Sequence, residues 1–431
     1  MKTVIPLKFL LILGLYFTFT SCETDNSSPP IISTENEAPE QFELFTVSNN
    51  SIDIDTLASF TWETATDGDG DNVTYSFFLD VNENPEMIIS NNLTSTSYSL
   101  TEELEPNTKY YWKVIASDSN GNSTVSPIFN FTTRGIDLLT NNLLENAPFP
   151  PRNNHSSVIF NNRIWIIGGS TSNNVWSSLD GINWSLATED ANFSPREFHT
   201  SLVFDNKIWV IGGFGLTTSG NLEVLNDVWS SLDGINWTLE NDNANFQPRF
   251  AHSSLVFDNK MWIINGLDPT SSTGAFNEIW NSSDGITWDL VNDNPALNGN
   301  IGHGALVFQN KIWVLGGRNI YGLTNDIYSS SDGIEWEIAS YDGVFSPRYI
   351  SAAAVVNNRM WVFGGESNIG LPNDSWYSSD GISWFEATSS PFSFSPRMGH
   401  SASVLNNSIY LIAGYSSNGS TLNDVWILED Q

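Results

Sequence analysis

Histidine and arginine recur at fixed places in six related segments of this chain, and these residue types can bind metal ions and anions. One segment is PREFHTSLVFDNKIWVIGG, residues 195–213, and the copies follow one another at intervals of about 44 to 53 residues. All five histidines occupy one slot, which holds serine in the fifth copy: His155, His199, His252, His303, His400 and Ser351. Five arginines occupy a second slot, which holds asparagine in the fourth copy: Arg152, Arg196, Arg249, Arg348, Arg397 and Asn300.

A ring of imidazoles could ligate a metal, and a ring of guanidinium groups could hold an acidic ligand. Zinc, however, needs several ligand nitrogens within about 2.1 Å of one point, and equivalent positions on a wide ring do not converge in that way. We therefore predict that the histidines are structural, with hydrogen bonds to adjacent backbone, and that the chain holds no metal or other cofactor. For the arginines two alternatives stay open: they contact a ligand, or they cap carbonyl groups and meet acidic residues of a neighbouring copy.

The first five copies each contain four short apolar runs separated by turn residues, which is typical of a four-stranded propeller blade. Asp-Gly before the last run indicates a hairpin, because both central turn positions require a positive φ. Fifteen of the 17 tryptophans lie in this region and fill three slots. Large aromatic side chains at one position per repeat are what packing between blades requires.

The double glycine after the second run, followed by tryptophan or tyrosine, resembles the kelch repeat. The resemblance covers residues 150–431 and implies an all-β fold with a six-bladed β-propeller. The sixth copy ends at NDVWILEDQ without its Asp-Gly strand. We therefore predict a propeller over residues 136–431 that is closed by a strand at residues 136–145. The SSDGINW turns also resemble the Asp-box of sialidases, but the gap from Asp to Trp is one residue shorter, and we interpret them as structural hairpins.

The places where the six copies differ predict a binding face. Of the 11 basic residues in the repeats, only Arg318 lies outside the two repeated basic slots. It directly follows a double glycine, at the start of a variable loop. Kelch relatives commonly bind ligands on the face formed by these loops, so the resemblance implies a site there. Its candidate residues are Arg318, the matching residues Phe214, Glu366 and Tyr415, and the long loops 214–225 and 267–276.

Residues 39–134 alternate apolar and polar side chains over short runs, as in LEPNTKYYWKVIASD at residues 104–118. This segment resembles a fibronectin type III domain, which implies that Tyr110 forms a tyrosine corner. DGDGDN at residues 67–72 begins like an EF-hand loop, but the sixth and twelfth positions of that loop are Asn72 and Phe78. We interpret it as an acidic turn between strands, with weak calcium binding as the alternative.

The first 21 residues read as a secretory signal, with Lys2 and Lys8 before a short apolar run. The next residue, Cys22, completes a sequence that resembles a bacterial lipobox, which implies that this cysteine is lipidated. Residues 22–38 are polar, acidic and contain proline, which is typical of a flexible linker. Their acidic start resembles the surface-export signal of Bacteroidetes-type lipoproteins, so we expect the protein at the bacterial outer membrane or cell surface.

Charge and cysteine content exclude several functions. A formal net charge of −33 repels nucleic acid and anionic lipid, so the membrane contact we expect is the lipid anchor alone. The single cysteine rules out an intrachain disulfide and cysteine-based zinc sites. Galactose oxidase shares the kelch propeller but needs copper and a cysteine crosslinked to tyrosine, so its activity is not expected.

The sequence therefore predicts an anchored protein whose propeller binds a protein or a glycan. The main alternative is a carbohydrate-active enzyme of the sugar mutarotase or lyase type. Sialate mutarotases also use kelch propellers with acidic and basic groups on one face, and Arg318 and Glu366 match that arrangement by residue type. A third possibility is a surface protein with a purely structural role.

Overall fold

The computed structural model describes residues 36–170, 172–216, 221–267, 274–341, 345–389 and 393–430. These ranges contain strands, turns and irregular backbone, and no helix in them is long and apolar enough to cross a membrane. The predicted signal peptide, Cys22 and residues 22–35 of the predicted linker lie outside the described residues. Within them the chain divides into two compact units: residues 36–48, 59–98 and 111–129, and residues 49–58, 99–110 and 130–430.

Nine strands precede residue 134: β1 (Leu44–Thr46), β2 (Ser51–Ile54), β3 (Ser59–Trp62), β4 (Thr74–Asp80), β5 (Ile88–Leu93), β6 (Ser97–Ser99), β7 (Lys109–Ser117), β8 (Ser123–Val125) and β9 (Phe129–Thr133). They form one sheet of order β1-β3-β6 and another of order β2-β9-β7-β4-β5, with β8 paired to β7. Every second side chain of β7 is buried, as the alternation of its sequence predicts. The hydroxyl of Tyr110 accepts a hydrogen bond of 3.2 Å from the backbone N–H of Glu105, and burial raises the pKa of Tyr110.

The remaining strands form one main sheet per sequence copy. After β10 (Asp137–Leu144), the first sheet contains β11 (Ser156–Phe160), β12 (Arg163–Gly169), β13 (Ser172–Ser178) and β14 (Trp184–Thr188). The second contains β15 (Arg196–Glu197), β16 (Thr200–Phe204), β17 (Lys207–Leu216), β18 (Leu222–Ser231) and β19 (Thr238–Asn241). The third contains β20 (Ser253–Phe257), β21 (Lys260–Ile264), β22 (Ile279–Ser282) and β23 (Asp289–Asn292). The fourth contains β24 (Gly304–Phe308), β25 (Lys311–Asn319), β26 (Gly322–Ser330) and β27 (Glu337–Ser340).

The last two copies are less regular. In the fifth, β28 (Arg348–Tyr349) and β31 (Glu366–Ser367) pair separately from the sheet of β29 (Ala352–Val356), β30 (Arg359–Phe363), β32 (Ser375–Ser378) and β33 (Phe385–Glu386). The sixth sheet contains β34 (Thr388–Ser389), β35 (Arg397–Met398), β36 (Ser401–Leu405), β37 (Ser408–Ser416) and β38 (Thr421–Asp430). In this sheet β10 pairs antiparallel with β38 and parallel with β34. A strand from before the first copy therefore lies beside the last strand of the chain.

The inner strands of the six sheets contact one another in cyclic order. β11 contacts β16, and the series continues through β20, β24, β29 and β36, which in turn contacts β11. The hydrophobic clusters lie between neighbouring sheets and draw on both. Val158 and Trp165 of the first sheet, for example, share a cluster with Ile208 and Trp237 of the second. The core is thus a series of interfaces between sheets, which is what repeated aromatic slots predict.

The Asp-Gly hairpins pack on the aromatic ring of the preceding sheet. Gly234 has φ of +72°, and a Cβ added there would lie 2.1 Å from the ring of Trp165. The same pairing recurs around the repeat as Gly285 with Trp209, Gly333 with Trp262, Gly381 with Trp313 and Gly181 with Tyr410. Glycine is required at this position for two reasons. The turn needs a positive φ, and the aromatic ring occupies the space that a side chain would fill.

This packing predicts that Gly234→Ala destabilises the protein by about 3 kcal/mol, since left-handed alanine and overpacking each contribute. Urea unfolding followed by tryptophan fluorescence would measure the change. Gly419→Ala is the matched control, because Gly419 has φ of +86° but its added Cβ would meet only the Tyr415 hydroxyl at 3.7 Å. We expect the control to cost about 1 kcal/mol, and equal losses in the two variants would contradict the packing argument.

Candidate functional site

The repeated arginines are buried in the protein. In the second sheet, Arg196 donates from Nη1 and Nη2 to the two carboxylate oxygens of Asp227, both at 2.7 Å, and from Nη1 to the carbonyl of Gly212 at 3.0 Å. Asp227 also accepts a hydrogen bond from Nε1 of Trp229 at 2.7 Å. The guanidinium lies 5.4 Å from the ring centre of Phe193, at cation–π distance. Arginine, carboxylate and indole thus form one hydrogen-bonded unit, which we call the triad.

The triad recurs with small changes. It is complete in the third, fifth and sixth sheets, where the members are Arg249, Glu278 and Trp280, then Arg348, Asp374 and Trp376, then Arg397, Asp424 and Trp426. In the first sheet Asn174 replaces the carboxylate and accepts from Nη2 of Arg152. Without a charged partner, burial lowers the pKa of Arg152 to about 10. Each acceptor belongs to the same copy as its arginine, whereas the second alternative placed the acidic partner in a neighbouring copy.

This geometry favours the second alternative for the arginines, in which the guanidinium groups cap carbonyl groups and meet acidic residues. Arg152, Arg196, Arg249, Arg348 and Arg397 are at most 1% exposed. Their donors are directed at carbonyl groups and acidic or amide side chains of the protein. A buried charge that is removed from its partner costs several kcal/mol, so these side chains hold loops in place and do not reach a ligand.

The residue two positions after each arginine slot adopts a left-handed conformation, with φ between 52° and 60° in all six copies. Backbone hydrogen bonds link these residues into a closed circle, in which each N–H donates to the carbonyl of the equivalent residue in the preceding copy: Asn154, Phe198, Ala251, Gly302, Ile350 and Gly399. The distances lie between 2.8 and 3.2 Å, and the N–H of Asn154 donates to Gly399. A left-handed β-branched residue such as Ile350 is unfavourable by itself, so the circle and its sheets must impose the conformation.

The histidines follow directly in the chain and join neighbouring sheets. Nε2 of His199 hydrogen-bonds with the hydroxyl of Ser156 at 2.9 Å. Equivalent hydrogen bonds join His155 to Ser401 and His252 to Thr200. The partner of Nε2 is a side-chain hydroxyl of the preceding sheet, and hydrogen bonds to backbone, which the sequence predicts, also act on the pKa of His199 and His252. For His400 the matching position holds Ala352, which has no hydroxyl. Burial lowers the pKa of His199 and His400 to about 3, so the imidazoles are neutral.

The circle and the histidines together line a small axial cavity of about 130 Å³. Its lining consists of the six left-handed residues and the residue after each, which is a histidine in five copies and Ser351 in the fifth. Pockets for drug-sized ligands start at about 300 Å³, so this cavity admits water but not a sugar ring. Among the described residues, no group of three or more His, Cys, Asp or Glu side chains is placed to hold a metal ion.

Around this cavity lies a rim made by two residues from each copy. The residue after each arginine slot pairs with the residue after each double-glycine slot. The rim pairs are Asn153 with Ser170, Glu197 with Phe214, Phe250 with Leu267, Ile301 with Arg318, Tyr349 with Glu366, and Met398 with Tyr415. The four residues predicted from the variable positions therefore occupy equivalent places on the rim, in four different copies.

Arg318 and Glu366 come together at Tyr349. Both side chains are exposed, and both charges act on the phenol of Tyr349. Burial raises the pKa of Tyr349, while Arg318 lowers it and Glu366 raises it. The Tyr349 ring lies over Gly302, where an added Cβ would be 2.2 Å from its Cε2 atom. The fourth and fifth copies thus share a tyrosine flanked by one cation and one anion.

Phe214 lies in a separate aromatic group. Its ring centre is 5.6 Å from that of Phe250, which is in turn 5.8 Å from Phe198. Tyr415 is half-buried and joins neither group in the contacts of the described residues. The long loops 214–225 and 267–276 are only partly described, since residues 217–220 and 268–273 lie outside the described ranges.

Apolar loop tips project beside Arg318 and Glu366. Ile320 and Tyr321 form the turn between β25 and β26 and are 73% and 85% exposed, and Ile369 of the fifth copy is 91% exposed. Sequence reasoning missed these tips, together with Tyr349, Phe250 and Phe198. The sequence did contain a signal for the loop tips, because large apolar residues in short polar loops differ from the residues of the other copies.

Comparisons with known proteins agree with this architecture. A family model described as the Attractin/LZTR1 beta-propeller matches residues 177–426. A solved structure, described as "Structure of YjhT", aligns with a TM-score of 0.55 at 17% identity, over 67% of this chain and 99% of that chain. At that identity the likeness concerns the fold alone. No curated protein matches the chain.

The neutral histidines predict a loss of stability on mild acidification. Their folded pKa lies below the unfolded value of about 6.5, so the unfolded state binds protons first. Stability is therefore full above pH 6.5 and falls as the pH drops toward the folded values, which are about 4 for His303 and about 3 for His199 and His400. The slope is at most about 1.4 kcal/mol per pH unit for each histidine. Urea unfolding between pH 4.5 and 7 would measure it.

His400→Gln is the variant that isolates this effect, because His400 has no hydroxyl partner to lose. We expect a shallower dependence on pH between 4.5 and 6.5. The hairpin aspartates also favour the folded state when ionised, since backbone hydrogen bonds lower the pKa of Asp180 to about 2, but their contribution is lost only at lower pH. An unchanged slope in the variant would refute the assignment to the histidines.

Proposed function

The chain belongs to the Attractin/LZTR1 beta-propeller family, and from this premise we propose that its six sheets are the blades of one kelch-type propeller that serves as a ligand-binding head. The cyclic contacts of the inner strands and the circle of backbone hydrogen bonds support six blades. The pairing of β10 with β38 supports closure by a strand from before the first copy. With the cyclic contacts and the closing strand, the rim is a surface of loops that the six sheets hold in place.

The observation that supports a binding role most is the exposed group around Tyr349. Ile320, Tyr321 and Ile369 present apolar surface beside Arg318 and Glu366. Exposed apolar tips in hydrophilic surroundings mark interaction sites, and tyrosine and arginine are enriched at the energetic centres of protein interfaces. The aliphatic tips favour a protein partner over a glycan, since sugars are held mainly by aromatic faces and polar groups.

We propose that residues 39–134 form a fibronectin type III-like module between the anchor and the propeller. The two sheets and the hydrogen bond from Glu105 to the Tyr110 hydroxyl support this assignment. The lipobox-like sequence ending at Cys22 supports an anchor at the bacterial outer membrane or cell surface. The acidic net charge fits a protein that approaches the membrane through lipid alone.

A screen of purified protein against arrays of proteins and glycans would test the binding role. Cys22→Ser prevents lipid attachment and keeps the protein in solution. We expect Tyr321→Ser and Ile369→Ser each to weaken binding of the partner by about tenfold or more, which is typical of interface centres. Arg318→Ala should reduce the association rate and its dependence on salt.

Leu232→Ser is the matched control, because Leu232 is 64% exposed but lies on the Asp-Gly hairpin side, away from the rim. It should leave affinity unchanged. If the control weakens binding as much as the tip variants do, the site is misplaced. A glycan that is chemically altered during the screen would instead favour the sugar mutarotase or lyase alternative.

The anchor has its own test. Wild-type protein should partition into the detergent phase and incorporate labelled fatty acid, whereas Cys22→Ser should do neither, because the thiol is the only attachment point. Fractionation of cells that express both forms would measure this. Membrane association that persists in the variant would show that Cys22 is not the anchor.

A further inference from the structure

A second cavity, of about 520 Å³, lies in the second compact unit and shares no residue with the rim. Its volume falls within the range of about 300 to 1,000 Å³ that is usual for small-molecule pockets. Its wall comes from the loops after β2 and before β7, the segment before β10, the hairpin between β29 and β30, and the end of β38. Three acidic and two basic residues line it: Asp55, Glu103, Asp430, Arg134 and Arg359. These charges decide which ligands the cavity accepts.

Arg359 departs from the contacts that its slot makes elsewhere in the repeat. In the second copy, Lys207 of this slot meets Glu240 of the same copy at 3.0 Å. Arg359 instead meets Asp430 at the end of the last strand, with 3.3 Å between Nη1 and Oδ2. This distance is longer than the 2.6–2.8 Å of the buried arginine–carboxylate pairs. The Asp430 carboxylate also hydrogen-bonds with the side-chain amide of Asn357, so Arg359 shares its one acidic partner.

One edge of the Arg359 guanidinium has no acceptor. Within the described residues Arg359 donates only from Nη1, to Asp430 at 3.3 Å and to the carbonyl of Asn357 at 3.5 Å. Its Nε is buried and has no hydrogen-bond partner there, and a buried donor without a partner is costly. Nε and Nη2 together form the edge that binds a carboxylate through two parallel hydrogen bonds. An anionic group from outside the chain would therefore satisfy this edge.

Glu103 provides an acidic group without a partner in the same cavity. It is exposed, and no hydrogen bond or ion pair within the described part of the chain engages its carboxylate. Asp55, by contrast, lies 3.5 Å from Arg134, so these two charges offset each other. A ligand with a single charge is attracted by Arg359 or Glu103 and repelled by the other. A ligand that carries both charges is attracted by both.

We propose that this cavity binds a small zwitterion of the amino-acid type, whose carboxylate accepts hydrogen bonds from Nε and Nη2 of Arg359 and whose ammonium group contacts Glu103. The planar guanidinium edge matches the two oxygens of a carboxylate. A phosphate fits less well, because its second negative charge adds repulsion from Asp430 and Glu103. The site is separate from the rim, and its occupancy can be measured without knowing the rim's ligand.

Calorimetric titration of the full chain with γ-aminobutyrate and 6-aminohexanoate would test the proposal. The two compounds carry the same charged groups at different separations. Butyrate and butylammonium, which each carry one of the two charges, are the controls. We expect saturable binding of at least one zwitterion in the millimolar range, and binding of each control that is about tenfold weaker or less, because one charged contact is lost.

Two pairs of variants locate the site. Arg359→Lys keeps a cation beside Asp430 but removes the two-donor edge, and should weaken binding of the zwitterion by about tenfold. Arg163→Lys is the matched control, since Arg163 fills the same slot of the first copy outside the cavity, and it should change nothing. Glu103→Gln should weaken binding of the zwitterion and strengthen that of butyrate. Glu102→Gln, at an exposed neighbour that does not line the cavity, should do neither.

Three outcomes would overturn the proposal. The first is no saturable binding of either zwitterion to the wild type. The second is equal affinity for butyrate and the zwitterions, which would leave Glu103 without a role. The third is an equal loss of binding in Arg359→Lys and Arg163→Lys. Thermal unfolding of each variant, carried out before titration, shows that a loss of binding is not a loss of the fold.

Discussion

A guanidinium group that is buried between a carboxylate and backbone carbonyls holds the loop that enters each sheet. Charges of this kind are stable only when every donor has an acceptor, and in the second sheet Arg196 meets Asp227 and the carbonyl of Gly212 while Asp227 also accepts from Trp229. The loop before the inner strand is thereby tied to the end of the next strand and to the aromatic core. The rim residues flank these two tied positions, so the placement of the candidate site depends on the triad.

The same anchoring explains how the circle of left-handed residues is maintained. Ile350 and Phe198 adopt φ values of 52° and 54°, which cost free energy for side chains of their kind. Each lies between an arginine that is fixed by its triad and an inner strand that is fixed by its sheet. The backbone hydrogen bonds of the circle then offset the free energy that the left-handed conformations cost. The circle narrows the axis to a cavity that admits only water, and this leaves the loops around it as the surface for larger ligands.

Local residue patterns predicted the strands and hairpins well, because alternation, Asp-Gly turns and aromatic slots act over a few residues. They did not predict the environment of the arginines. A repeated Pro-Arg is compatible with a guanidinium that faces solvent or one that faces inward, and only the distance to Asp227 or Asp374 decides between them. The left-handed circle was also hidden, since asparagine and glycine indicate it at Asn154, Gly302 and Gly399 but Phe198, Ala251 and Ile350 do not. The effect of Arg318, in the fourth copy, on Tyr349, in the fifth, crosses a boundary between copies that local patterns do not span.

Repetition itself separates structural from functional residues in this fold. A residue type that is needed to hold each sheet recurs in every copy, as the triad and the hairpin glycines do, and the interactions of one copy explain it. A residue that departs from the repeat is not explained by the interactions that hold the other copies. Arg318 and Glu366 depart on the surface, where both side chains are exposed, and Asn300 departs in the interior, where an asparagine takes the place of a buried arginine. The chain thus provides its own comparison: the four complete triads show which interactions hold each sheet, and the exposed departures from the repeat are where a partner is to be sought.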